Sequence, residues 1–205
     1  MRAWEKFWEK HSLPDFLRNI AQQSHPIRTM MAKEAREAGG SVLDVACGNC
    51  MSYPYFKMEG IEYVGLDLTR KFLGFAEEMY PGIKVHEGSA LNLPFASGSF
   101  NTVCCKDLLE HLSPHDVGPV IQEMWRVADR KVMIAFFLTP IDEPANIDFV
   151  NGAFFNNRYD KREILEFIRG LDGFNDVNIH MVSNKAVKGY TESPLYVVTK
   201  KKRED

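Results

Sequence analysis

The ten residues from Ser41 to Cys50 constrain the fold of this chain more than any other stretch. An apolar run with β-branched residues carries Asp44 and then breaks at small residues around Gly48. In α/β proteins, small residues after a buried strand let the backbone approach a nucleotide-type ligand at the carboxyl edge of the sheet. A dinucleotide-binding loop needs the G-x-G-x-x-G pattern, which this stretch lacks, so a nicotinamide-linked enzyme is the least favoured alternative.

Strand and helix patterns alternate on both sides of this turn. The predicted strands cover residues 41–46, 61–67, 83–87, 100–106 and 130–139, and the predicted helices cover residues 26–38, 51–58, 69–79 and 113–127. This alternation predicts an α/β fold, with a mostly parallel sheet and helices on both faces. After an irregular stretch, Asp160 is expected to cap a helix that ends near Arg169, and residues 174–182 and 195–200 are expected to pair antiparallel.

Length and charge set the broad class. A chain of 205 residues suits one domain, and a formal net charge of −3 gives no overall attraction to nucleic acid or to an anionic membrane. The longest apolar run, residues 132–138, is too short to span a bilayer, and the charged N-terminus carries no signal-peptide core. We therefore expect a single cytoplasmic domain over residues 1–205, with reduced cysteines.

Two peripheral segments are candidates for covering a pocket. Trp4, Phe7 and Trp8 recur at helical spacing, so residues 1–38 are interpreted as an N-terminal helical lid, or as a helix packed on the body of the protein. Residues 140–160 are interpreted as an acceptor-side insertion that is rich in aromatic residues. Many aromatic side chains suit an apolar or planar ligand, although such side chains also simply fill lids.

Polar or small residues follow each of the first four predicted strands. The first strand has Asp44 and the turn at 46–48. Asp67 closes the second strand, at about the spacing of an acid that takes the hydroxyls of a ribose, because a carboxylate accepts from both hydroxyls of a vicinal diol. Residues 87–90 follow the third strand and residues 106–111 follow the fourth. The carboxyl ends of parallel strands meet at one edge, so these groups are expected to form one site.

These residues resemble the class I S-adenosylmethionine-dependent methyltransferases, in the subgroup of the ubiquinone- and menaquinone-biosynthesis enzymes. The resemblance rests on the segments Val42-Leu-Asp-Val-Ala-Cys-Gly48, Val64-Gly-Leu-Asp67, Gly88-Ser-Ala-Leu-Asn-Leu-Pro-Phe95, Gly98-Ser-Phe100 and Leu109-Glu-His-Leu112. It implies a Rossmann-like seven-stranded sheet in the order 3-2-1-4-5-7-6, with strand 7 antiparallel.

The resemblance also implies S-adenosyl-L-methionine as cofactor and gives residues their roles. Asp44 and the backbone at Ala46 and Gly48 would hold the methionine part, Asp67 the ribose, Leu68 one adenine face, Ser89 and Ala90 the adenine edge, and the backbone at Lys106 the amino group. The family usually has glycines at positions 46 and 50, and often an acid at position 89. These departures support an alternative, a catalytically silent methyltransferase-like binding or partner subunit.

Methyl transfer needs a general base only when the acceptor atom carries a proton. His111 is the first candidate because histidine exchanges protons near neutral pH, and Asp107 and Tyr159 are further candidates. A structural histidine at the start of a helix is the alternative for His111. The fourth strand is not followed by Asn-Pro-Pro-Tyr, the motif of many amino-group methylases of nucleic acids. This absence argues against one class of nucleic-acid acceptor without excluding all of them. A small-molecule acceptor is expected, with no membrane partner and with nucleic acid disfavoured; the oligomeric state is left open.

The cysteines and Arg28 have competing interpretations. Cys47 and Cys50 form a C-x-x-C, and Cys104 and Cys105 end a strand next to it, so a zinc site or a thiol switch is conceivable. Adjacent strand residues point to opposite faces and a closed zinc site needs four convergent ligands, which favours buried thiols and no metal. Arg28 would meet a carboxylate of the cofactor or acceptor, or remain a solvated helix charge.

Overall fold

Seven strands form one sheet in the order β3-β2-β1-β4-β5-β9-β8. The computed structural model describes residues 25–150, 154–187 and 190–201. The sheet strands are β1 (Ser41–Val45), β2 (Glu62–Asp67), β3 (Lys84–Glu87), β4 (Phe100–Lys106), β5 (Ala128–Ala135), β8 (Phe174–Val187) and β9 (Tyr190–Lys200), and β6 (Phe149–Val150) pairs with β7 (Phe154–Phe155) as a separate ribbon. Counted within the sheet alone, the order is 3-2-1-4-5-7-6, and β9 runs antiparallel to both neighbours. The predicted topology is confirmed.

Five α-helices connect and cover the strands. They are α1 (His25–Ala38), α2 (Tyr53–Met58), α3 (Arg70–Met79), α4 (Pro114–Val127) and α5 (Lys161–Arg169), and a 3₁₀ turn covers Leu109–His111. Asp160 caps α5 as predicted, because its side chain accepts from the backbone N–H of Arg162. Thr69 precedes α3 as predicted but makes no side-chain capping bond. Its own N–H donates to Asp67 Oδ1 at 2.8 Å instead.

The fifth strand ends earlier than the apolar pattern predicts. The prediction extended to Thr139, whereas β5 ends at Ala135. Phe136 and Leu138 are still buried, so the apolar residues report burial and not strand structure. Beyond β5, the N–H groups of Phe137 and Leu138 donate to the carboxylate of Glu110 and make no strand ladder.

The sheet has an apolar core on each face. Leu43 and Val45 of β1 face the core that is closed by α4 and α5, and Val42 faces the core that is closed by α1, α2 and α3. Because consecutive strand residues point to opposite faces, Cys104 and Cys105 fall into different cores, as predicted. The connections leave β1 and β4 towards opposite edges of the sheet, so their carboxyl ends flank the crevice where doubly wound sheets bind ligands.

The predicted N-terminal lid, residues 1–38, lies only partly within the described residues. Trp4, Phe7 and Trp8, with the rest of residues 1–24, lie outside the described residues. Within α1, Ile27 and Met31 are at most 1% exposed, so this part of the predicted lid belongs to the core. Among the helices that the structure describes, none is long and apolar enough to cross a membrane.

Candidate functional site

The turn after β1 takes a left-handed backbone at three positions. Ala46, Gly48 and Cys50 have φ values of 58°, 56° and 58°. Only glycine takes this conformation without steric cost, so Ala46 and Cys50 hold a strained backbone where the family usually has glycine. A Cβ atom added at Gly48 would meet no atom within 4 Å. The turn therefore presents its backbone to open space.

Asp67 joins the end of β2 to this turn. Its Oδ2 accepts from the N–H of Gly48 at 2.8 Å, its Oδ1 accepts from the N–H of Thr69, and its side chain is buried. Burial raises the pKa of Asp67, and the two N–H donors oppose that rise. An ionised carboxylate has about four lone-pair sites, so two donors leave acceptor capacity for hydroxyl groups.

Asp44 lies deeper, beneath the turn. Tyr63 donates its hydroxyl to Asp44 Oδ2 at 2.8 Å, and the Cys104 thiol lies 3.6 Å from Oδ1. Burial raises the pKa of Asp44 to about 6, and the Tyr63 bond and the charge of Arg28 oppose that rise. Asp44 is therefore mostly ionised at neutral pH, with its charge held inside the protein.

Arg28 is a buried cation at this edge of the sheet. It lies on α1 and is only 6% exposed, so its interpretation as a solvated helix charge is wrong. Burial lowers the pKa of the guanidinium, and the charges of Asp107 and Asp44 act in the opposite direction. The buried Lys131 of β5 fixes α1 nearby, because its ammonium bonds the Glu34 carboxylate at 2.7 Å. The helix thereby holds Arg28 over the ends of β1 and β4.

The end of β4 carries a second left-handed residue and an ion pair. Asp107 has a φ of 56°, its N–H donates to the carbonyl of Ala135 at 2.9 Å, and its carboxylate pairs with the Lys106 ammonium. These contacts give the Asp107 carboxylate a charged partner, and its role as a base stays a prediction.

The segment after β3 lies directly beside Asp67. The N–H of Gly88 donates to the Asp67 carbonyl at 2.9 Å, which brings Ser89 and Ala90 to the same edge. Ser89 Oγ accepts from the N–H of Leu91, and Leu68 is half-buried. Sequence reasoning missed the side chains that hold this segment on α4. The Glu123 carboxylate accepts from the N–H of residue 93, and the Arg126 guanidinium donates to the carbonyls of residues 93 and 95.

His111 is oriented by the ribbon of β6 and β7. Its Nδ1 lies 2.9 Å from the carbonyl oxygen of Phe155, and a carbonyl only accepts, so Nδ1 carries the proton. In the neutral ring the lone pair is then on Nε2. The Phe154 ring packs edge-on to the imidazole, with centroids 6.1 Å apart. The contacts fix both the tautomer and the direction of the imidazole.

Tyr159 is held by backbone carbonyls. Its hydroxyl lies 3.1 Å from the Leu109 carbonyl and accepts from Asn157 Nδ2 at 2.9 Å. Burial raises the pKa of Tyr159 to about 12. The hydroxyl therefore ties the segment after β7 to the 3₁₀ turn that bears His111. A positioning role fits these contacts better than the predicted role as a base.

Glu110 is the buried acid for which the sequence interpretation had no role. Its side chain is fully buried, and Oε1 accepts from the N–H groups of Phe137 and Leu138. Burial, together with the negative charge of Asp107, raises the pKa of Glu110 to about 8. The side chain joins the 3₁₀ turn after β4 to the segment after β5. In the sequence, Glu110 is marked only by its place in the segment Leu109-Glu-His-Leu112, on which the family resemblance partly rests.

The predicted residues separate into two groups. Gly48 and Asp67 are in direct contact, and Ser89 and Ala90 follow the strand end beside them. His111 and Tyr159 instead surround the 3₁₀ turn and the segment after β7. In the described parts of the chain, no group of three or more histidine, cysteine or acidic side chains could hold a metal ion. The zinc alternative therefore has no ligand set there.

Comparison with known proteins shows what part of this chain is similar to a described family. A family model described as a methyltransferase domain matches residues 42–131, which include all but the first residue of β1, the strands β2 to β4 and the turn around Gly48. Over these residues the chain is similar to a methyltransferase domain, and its seven-stranded sheet has the strand order that the resemblance implies. The match ends within β5, so the family model does not reach the ribbon that orients His111.

Two relatives and one solved structure illustrate the extent of the similarity. An uncharacterized methyltransferase of Synechocystis sp. is 32% identical over 53% of this chain and 50% of its own length. A demethylmenaquinone methyltransferase of Chlorobaculum parvum is 38% identical over 37% of this chain and 34% of its own length. The chain thus spans half or less of these relatives. The structure of magnesium protoporphyrin IX methyltransferase from Synechocystis, with bound SAM, shares the fold at a TM-score of 0.67 and 17% identity, covering 97% of this chain and 90% of that one.

Proposed function

We propose that this methyltransferase domain binds S-adenosylmethionine at the carboxyl edge of the sheet and catalyses methyl transfer to a small-molecule acceptor. The observation that carries the proposal is the 2.8 Å bond between the Gly48 N–H and Asp67, beside open space at Gly48. This contact combines an exposed backbone turn with a buried acid that has spare acceptor capacity. A ligand without phosphate does not require a glycine-rich loop aimed at a helix N-terminus.

The charges at this edge match the parts of the cofactor. Asp67 suits the ribose hydroxyls, Ser89 and Ala90 suit the adenine edge, and Leu68 suits an adenine face. Asp44 is a buried anion and Arg28 a buried cation on the same side, which suits an ammonium and a carboxylate in one ligand. When bound, the cofactor supplies an electrophilic methyl group. The protein binds it, orients it and excludes water.

His111 is proposed to take a proton from the acceptor. The bond from Nδ1–H to the Phe155 carbonyl leaves the basic lone pair on Nε2 of the neutral ring. Protonation at Nε2 leaves that bond in place. Tyr159 and Glu110 hold the turn that carries the histidine, and we propose them as positioning residues.

The acceptor is proposed to have an apolar or planar part. The rings of Phe149 and Phe155 lie 4.8 Å apart on the ribbon, and Phe149 and Ile147 are 48% and 45% exposed. An exposed aromatic surface beside His111 suits stacking against a ring. Two similar proteins are named for demethylmenaquinone and magnesium protoporphyrin IX, which supports this class without identifying the acceptor.

A catalytically silent binding subunit remains the alternative, on the strength of the substitutions at positions 46, 50 and 89. The left-handed φ values of Ala46 and Cys50 argue against it, because the turn keeps a backbone that glycine would take most easily. Cofactor binding without methyl transfer to any acceptor in a broad extract would favour the silent subunit.

Methyl transfer is tested with S-adenosylmethionine that carries a deuterated methyl group, added with the protein to a small-molecule extract. Mass spectrometry should detect an acceptor that gains the labelled group. His111→Gln should slow transfer to that acceptor by about 100-fold, the lower range for loss of a general base, while cofactor binding is unchanged. The control is His115→Gln, since His115 is exposed at the start of α4. Equal rates for the two variants on a protonated acceptor would show that His111 is not the general base.

A further inference from the structure

Cys47 and Cys50 hold two thiols in contact inside the turn after β1. The N–H of Cys50 donates to the Cys47 carbonyl at 2.9 Å, and the two sulfur atoms lie 3.4 Å apart. A four-residue turn closed in this way keeps its end Cα atoms within about 7 Å. Disulfides need a Cα separation of roughly 4.4–6.8 Å and a sulfur–sulfur bond of about 2.05 Å. The reduced pair therefore already has a backbone that suits a disulfide.

Gly65 of β2 creates the space in which the thiols converge. A Cβ atom added at Gly65 would lie 2.8 Å from the Cys47 sulfur and 2.9 Å from the Cys50 sulfur. Gly65 is level with Asp44 on the neighbouring strand. Any side chain at position 65 would therefore drive the sulfurs from this position. The approach of the thiols depends on the sheet as well as on the turn.

The two thiols differ in access. Cys50 is fully buried, whereas Cys47 is half-buried. A reagent from solvent is therefore expected to reach Cys47 before the buried Cys50, which serves as the second thiol. Burial, followed by the contact with Cys50, raises the pKa of the Cys47 thiol. Because the thiolate is the reacting form, oxidation should quicken as the pH rises.

We propose that Cys47 and Cys50 form a reversible disulfide by exchange with a small-molecule disulfide such as oxidised glutathione. The Cys47 thiolate attacks one sulfur of the reagent, which forms a mixed disulfide and releases one glutathione thiolate. Cys50 then loses its proton and attacks the Cys47 sulfur, which releases the second glutathione. The protein loses two protons and two electrons, and the reagent gains them as two thiols.

The disulfide acts on the residues between the two sulfurs. Gly48 lies within the C-x-x-C and donates to Asp67, so drawing the sulfurs from 3.4 Å to bonding distance shifts the N–H that meets this acid. This consequence rests on the proposed function, because it matters only if the cofactor binds at Gly48 and Asp67. Oxidation should then weaken binding of S-adenosylhomocysteine on the order of tenfold, within the usual range of coupling between sites.

Trypsin digestion gives a direct test of bond formation. Cleavage after Arg36 and Lys57 releases residues 37–57 with Cys47 and Cys50 as the only cysteines, and cleavage after Lys84 and Lys106 releases residues 85–106 with the other two. The folded protein is incubated with oxidised and reduced glutathione without oxygen and quenched with acid. It is then denatured and alkylated with N-ethylmaleimide near neutral pH before digestion. The peptide 37–57 should lose two hydrogens and escape alkylation, whereas the peptide 85–106 should stay reduced.

Single variants and a binding measurement complete the test. Cys50→Ser should stop at the mixed disulfide on Cys47, and Cys47→Ser should not react. A reduced peptide 37–57 under oxidising glutathione, or a bond that forms only in denatured protein, would overturn the disulfide. Equal affinity of oxidised and reduced protein for S-adenosylhomocysteine would overturn the coupling. If neither form binds this ligand, the proposed function fails, while an observed disulfide still stands.

Discussion

At the scale of single residues, backbone strain marks the proposed site. Ala46, Cys50 and Asp107 are the non-glycine residues with positive φ in the part of the chain that the structure describes, and all three follow the carboxyl ends of β1 and β4. Left-handed backbone at non-glycine residues persists only where surrounding contacts enforce it, and such residues cluster at functional sites. The location of this strain agrees with the position of the proposed cofactor site.

Ala46→Gly tests the strain in the turn. A left-handed alanine costs roughly 1–2 kcal/mol, and glycine gives back about 0.5–1 kcal/mol as conformational entropy of the unfolded chain. We therefore expect the free energy of unfolding to rise by about 0.5 kcal/mol in urea titration. The control is Ala32→Gly in α1, which should lower the free energy by about 1 kcal/mol. Equal losses in both variants would contradict the strain.

Glu110→Gln should alter how stability depends on pH. Burial raises the pKa of Glu110 from 4.5 to about 8, so between these values the folded state binds more protons than the unfolded state. Stability then falls as the pH rises through this window, by at most about 1.4 kcal/mol per pH unit. The variant should show a smaller fall in the free energy of unfolding from about pH 5 to about pH 8. A fall as steep as that of the exposed control Glu78→Gln would show that Glu110 is not the group responsible.

At the scale of elements, replacing glycine by alanine should have opposite effects on stability in β2 and α3. Gly65 leaves room for two thiols, whereas a Cβ atom at Gly74 of α3 would meet nothing within 4 Å. Gly65→Ala should lower the free energy of unfolding by about 1–3 kcal/mol, the usual cost of overpacking. Gly74→Ala should raise it by about 1 kcal/mol, because alanine favours the helix. Both values are measured by urea titration. A Gly65→Ala variant as stable as the native protein would contradict the close approach of the two thiols to Gly65.

The segment after β5 is joined to the rest of the site by contacts between distant residues. Glu110 reaches the backbone at Phe137, Asn157 bonds the Leu112 carbonyl, and the N–H of Asn157 donates to the Glu110 carbonyl. These bonds connect the 3₁₀ turn to the ribbon of β6 and β7. Through these bonds, the stretch that was predicted as an irregular insertion lies against the 3₁₀ turn that carries His111.

At the scale of the whole molecule, the architecture of the sheet could be predicted from the sequence. The alternation of strands and helices predicted the parallel strands, and the resemblance supplied the strand order that the structure confirms. Tertiary contacts were beyond sequence reasoning. The buried state of Arg28 depends on α1 packing over β1 and β4, and the apolar residues after Ala135 continue as a buried loop. Neither feature has a local signal in the sequence.

The most direct test of the account is calorimetric titration of S-adenosylhomocysteine into the reduced protein. We expect binding by the native protein, loss of binding in Asp67→Ala, and native affinity in Glu78→Gln, whose side chain is exposed on α3. Asp67→Asn, which keeps one acceptor oxygen for the turn, guards against a folding defect and should bind more weakly than the native protein. No heat from the folded native protein, or native affinity in a folded Asp67→Ala, would contradict the proposed cofactor site.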